Sequence, residues 1–105
     1  MVDSVRQVLE ALNHGLAEAG DSARVRFAAI EPDPDFDGEW LAVVTWELPN
    51  PPDDDESWPL EVLDRYCVMS ADALAGSGVG SHCQFRTRAQ IAEDPSRGVA
   101  IQEAV

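Results

Sequence analysis

Residues 23–48 read ARVRFAAIEPDPDFDGEWLAVVTWEL, and this stretch decides the fold. Over 23–30, Val25, Phe27 and Ala29 alternate with Arg24, Arg26 and Ala28, the period expected of a strand with one buried face. Residues 39–47, rich in Trp, Val and Thr, predict a second strand. Between them Asp37-Gly38 is a hairpin turn signal, reinforced by Pro32 and Pro34. Pro49, Pro51 and Pro52 then stop the second strand.

Working outward, residues 4–19 carry Val5, Val8, Leu9, Leu12 and Leu16 at helical spacing. Ser4 with Gln7 matches a capping box, and Gly20 is a stop. Gly15 inside this helix costs about 1 kcal/mol of propensity or marks a close packing contact. A second helix is expected over 57–75, with Ser57 as N-cap, Pro59 in the first turn and Gly76 at its end. Leu60, Leu63, Cys67, Ser70/Ala71 and Leu74 form its apolar stripe. Residues 79–91 predict a third strand, with Val79, Ser81, Cys83, Phe85 and Thr87 on one face. A turn at 94–98 precedes a short strand at 99–102, which pairs within the chain or with a second copy.

The expectation is therefore a single two-layer α+β domain over residues 1–105, in the order αββαβ(β). Two helices pack on one face of a small, mainly antiparallel sheet of three or four strands, the simplest way to bury both stripes. A chain of 105 residues holds one modest core and not two. Its hydrophobic content of 45% separates it from a disordered acidic tail. No apolar run is long enough to span a bilayer, and the acids and arginine within residues 1–20 do not read as a signal peptide. Cys67 and Cys83 are too few for a disulfide framework; the default reading is reduced thiols and a cytoplasmic compartment, with a single bridge between them as the alternative.

The net charge is −13, and it is local. Residues 31–64 hold 12 of the 20 acids and no basic residue. Most fall in two stretches, 31–39 and 53–56, at opposite ends of the second strand, roughly 30 Å apart at ~3.3 Å per residue. All seven basic residues are arginine, which excludes lysine chemistry such as Schiff bases. A field this negative disfavours direct nucleic-acid and anionic-membrane binding and favours a basic protein partner.

Individual motifs point to little catalysis. Asp33-Pro34-Asp35-Phe36-Asp37-Gly38 matches the first half of a calcium loop, with Asp33, Asp35 and Asp37 as ligands, but the twelfth position is Val44 and the flanks are strands. Gly76 to Gly80 follows a helix and precedes a strand, the reverse of a phosphate-cradling loop. His14, Cys67, His82 and Cys83 lack the paired spacing of a zinc site, and no nucleophile elbow accompanies any serine. Arg24 and Arg26 on the first strand, with Arg86, Arg88 and His82 on the third, would gather on the open sheet face if the two strands were neighbours. Trp40 and Trp46 share one face of the second strand, so this surface could take a small anion.

The expected function is a noncatalytic binding module, an antitoxin- or immunity-type inhibitor or an accessory subunit, without cofactor or metal. It would dock on a basic protein through Asp53, Asp54, Asp55 and Glu56, then Asp33, Asp35 and Asp37. Trp58 beside them is either a core residue or an exposed anchor. A homodimer is compatible with this reading. The alternatives are a nucleic-acid mimic that inhibits a DNA- or RNA-binding protein, and a ligand-binding protein or enzyme using the arginine face.

Overall fold

A computed structural model describes residues 2–51, 57–93 and 98–102. Helix α1 (Val2–Glu18) leads into strand β1 (Arg24–Pro32), which is joined by the acidic hairpin to β2 (Trp40–Glu47). Helix α2 (Leu60–Leu74) and a 3-10 turn (Ala75–Ser77) lead to β3 (Gly80–Arg86), a short helix α3 (Arg88–Glu93) and β4 (Val99–Ala100). The sheet order is β3-β2-β1-β4. β1 is antiparallel to both β2 and β4, and β2 is parallel to β3. This is the expected α+β domain with helices packed against one sheet, and β4 pairs within the chain.

β3 lies beside β2, not β1. The β2–α2–β3 segment is a crossover that returns the chain in the direction of β2, the usual route to a parallel pair. β3 also ends at Arg86, and residues 88–93 form α3 where strand was expected.

The core lies between the sheet and the two long helices. α1 contributes Val5, Leu9 and Leu16, β2 contributes Ala42, Val44 and Trp46, and α2 contributes Tyr66 and Leu74. Trp46 is fully buried. Its ring lies 4.9 Å from that of Tyr66, and its Nε1 donates to Ser70 Oγ at 2.7 Å, so the indole N–H keeps a partner in the apolar layer. Ser70 in turn donates to Tyr66 O at 2.9 Å.

Two expected stripes shift. The alternation of Val25, Phe27 and Ala29 breaks at a bulge: Val25 opposes Trp46, Phe27 opposes Thr45, and Arg26 is the extra residue. Val25 and Ala28 therefore enter the core, while Phe27 and Ala29 turn to the other face. On α2 the buried line is Tyr66, Ser70 and Leu74, and Leu60 is 80% exposed.

The ends of the elements also depart from expectation. α1 already includes Ser4, so that residue is not its cap, and α2 starts after Pro59 rather than on Ser57. Gly76 lies within the 3-10 turn, and Gly78, at φ 73°, makes the left-handed reversal.

Asp21 fixes the α1–β1 turn to α2. Its carboxylate accepts from Ala23 N at 2.9 Å and from the Tyr66 hydroxyl at 2.9 Å, with Arg65 at 3.4 Å.

Candidate functional site

The hairpin closes on its own backbone. Asp33 N donates to Glu39 O at 3.0 Å, Glu39 N to Phe36 O at 3.2 Å, and Asp35 N to the Asp33 carboxylate at 2.9 Å. Gly38 takes φ 80°, as the Asp-Gly turn requires. Among the described residues no group of three or more Asp, Glu, His or Cys side chains is arranged to hold a metal ion. The calcium-like hexapeptide is thus a turn in which Asp33 caps a backbone N–H.

The register of three strands builds a groove beside this turn. Glu31 pairs with Leu41, Val43 with His82, and Thr45 with Gln84, which places these side chains on the sheet face away from α1 and α2. The groove, about 620 Å³, has Leu41 and Val43 in its floor. Its rim carries Glu31, Asp33 and Asp35 on one side and His82 and Gln84 on the other. Gly80 lets the hairpin come close: a Cβ there would stand 3.2 Å from Leu41 and 3.7 Å from the Asp33 carboxylate. Asp37 belongs to the same exposed hairpin without lining the groove.

Asp53, Asp54, Asp55 and Glu56 lie outside the described residues. Trp58 is half-buried against the core, and its Nε1 donates to Pro49 O at 2.7 Å. It thereby joins residues 49 and 58 across the end of β2. An apolar cleft of about 300 Å³, lined by Leu48, Trp58, Pro59 and Val62, opens there, at the end of β2 opposite the hairpin.

The arginines gather, but around one carboxylate. Glu47 is 8% exposed, and its two register partners are Arg24 on β1 and Arg86 on β3. Arg26 reaches its Oε1 at 2.5 Å and Arg88 at 3.5 Å. Arg24 donates to the carbonyls of Asp21 and Ala23, and Arg86 to that of Phe85. The expected arginine–aromatic surface does not form, because Trp46 faces the helices and His82 sits at the far end of β3 in the acidic groove.

No family model, no characterised protein and no solved structure matches the chain.

Two functional features escaped the sequence reading. Gln84 joins the groove only through the parallel β2–β3 register. Glu47 meets Arg26 through the β1–β2 pair, and Arg86 and Arg88 join it only once β3 is placed beside β2. The alternation within 39–47 could have set Glu47 apart, because it carries an acid on a strand otherwise almost wholly apolar. No helix among the described residues is long and apolar enough to cross a membrane.

Proposed function

We propose that the chain is a noncatalytic, acidic protein-binding module, an immunity- or antitoxin-type inhibitor or an accessory subunit, that docks on a basic surface of a partner protein. One observation carries this reading. All six described arginines are engaged elsewhere: Arg6 with Asp3, Arg65 with Asp21, Arg26 and Arg88 with Glu47, and Arg24 and Arg86 with backbone carbonyls. Glu31, Asp33, Asp35, Asp37 and Glu39 make no ion pair among the described residues. A groove with an apolar floor and a carboxylate rim suits the stem and head of an arginine or lysine side chain. The acids at 53–56 would supply a second contact beyond Trp58, and long-range attraction would speed encounter.

The test uses the immobilised protein at low salt, beside a Glu31→Gln/Asp33→Asn/Asp35→Asn variant and one with residues 53–56 neutralised. Asparagine at position 33 retains the acceptor for Asp35 N, so the hairpin is kept. A partner released by salt is purified and titrated. Its affinity should fall at least about tenfold in one of the variants. Equal affinity for all three proteins would overturn the reading. Displacement of this protein from its partner by DNA or RNA would favour the nucleic-acid mimic instead.

A further inference from the structure

Cys67 and Cys83 are sixteen positions apart in sequence and line the same cleft. The α2 crossover lays the middle of the helix over β3, the strand it leads into. Cys83, opposite Val44 in register, points to the helix side of the sheet, and its thiol approaches Ser70 Oγ at 3.5 Å. Ser70 is one helical turn beyond Cys67. Both cysteines are free and half-buried, and both line one cleft of about 410 Å³ at the sheet edge, with Val68 and Ala71. Burial first, then the neighbouring Cys83 thiol, push the Cys67 thiol up to about 11.

We propose that Cys67 and Cys83 are a redox pair, joined by exchange with a small-molecule disulfide into an intramolecular bond that staples α2 to β3. One cysteine, as thiolate, attacks the oxidant's S–S bond. That bond breaks, a mixed disulfide forms, and one thiolate leaves and takes up a proton. The second cysteine loses its proton and attacks the protein sulfur of the mixed disulfide, expelling the second thiolate. The balance is two protein S–H bonds lost and one S–S bond formed, with the oxidant's disulfide reduced to two thiols. The cleft gives the oxidant access, and β3 is an edge strand of the sheet.

The test treats the reduced full chain with oxidised glutathione and reads free thiols, intact mass and oligomeric state. Wild type should lose both thiols and two mass units, carry no glutathione, remain the same size on non-reducing gels and recover with dithiothreitol. Cys67→Ser and Cys83→Ser should each retain a glutathione adduct. Closure should run at least about tenfold faster in the native protein than in urea, because the fold presents the pair together. Two glutathione adducts on wild type, a disulfide-linked dimer, unreacted thiols or equal closure rates in urea would each overturn the proposal.

Discussion

Asn13 of α1 and Val25 of β1 bond to each other twice: Val25 N donates to Asn13 Oδ1 at 2.7 Å, and Asn13 Nδ2 donates to Val25 O at 2.9 Å. The amide also donates to Gln102 O at 2.9 Å, and Asn13 is fully buried. The bulge at Arg26 interrupts the β1 ladder next to Val25, and a side chain from the helix stripe bonds the backbone there. Asn13→Ala is therefore expected to cost about 3 kcal/mol, since it strips partners from buried backbone groups. Urea unfolding of the two proteins measures it, and a loss under about 1 kcal/mol would show that water replaces the amide.

Gly15 and Gly98 should respond in opposite directions to alanine. A Cβ at Gly15 would meet nothing within 4 Å, on an exposed position inside α1, so the sequence alternative of a close contact there does not hold. Gly15→Ala should raise stability by up to about 1 kcal/mol. Gly98 has φ 96°, and a Cβ there would fall 2.4 Å from Ala28 O, where β4 begins to pair with β1. Gly98→Ala should destabilise by several degrees of Tm, roughly 1–3 kcal/mol. Thermal melts of both variants check the pair of signs.

Local chemistry made most elements legible. Pro32, Pro34 and Asp37-Gly38 set the hairpin between β1 and β2, as expected. What failed was side-chain facing. Alternation cannot reveal a bulge, so Phe27 was assigned to the core that Val25 and Ala28 share. On α2 the expected stripe holds at Ser70 and Leu74, but Leu60 is exposed and Tyr66, one turn before Ser70, takes a buried place against Trp46. Neither the direction of β3 nor its neighbour was legible: the expectation of a mainly antiparallel sheet does not single out β3 as the parallel strand beside β2. β4 occupies the free edge of β1, which leaves β3 on β2 and brings Arg86 and Gln84 to Glu47 and Thr45. The candidate groove depends on that register, so its acids could be named in advance but not its His82 and Gln84 wall.

Glu47 should behave as the keystone of the arginine cluster. Its side chain is 11% exposed and bonds both Arg26 and Arg88. Removing it takes the negative charge from the end of the sheet where Arg24 and Arg86 are its register partners and Arg26 and Arg88 reach it. Glu47→Ala is expected to cost about 3 kcal/mol, more than Arg26→Ala, because it takes away the carboxylate that two arginines share. A double-mutant cycle should return a coupling of about 1–3 kcal/mol between Glu47 and Arg26. A coupling near zero would show that the 2.5 Å contact adds nothing to stability.

Alkaline pH should weaken the fold through two acids that burial keeps protonated. The Cys67 thiol rises from 9.0 to about 11, first through burial and then through the Cys83 thiol beside it. The Tyr66 hydroxyl is also raised, by burial and by the Asp21 carboxylate to which it donates, with Arg65 acting the other way. In both cases the unfolded chain loses its proton at a lower pH than the folded one. The stabilising contribution is thus complete below the unfolded value and disappears as pH climbs through the folded value, a window from about 9 to about 11 for Cys67. The urea midpoint should fall across that window in wild type, measured under reducing conditions so that no disulfide forms. Cys67→Ala should flatten the fall, and Tyr66→Phe should flatten the portion at its upper end while lowering stability at neutral pH through loss of the Asp21 bond. A midpoint in wild type that stays level up to pH 11 would show that neither proton is held by the fold.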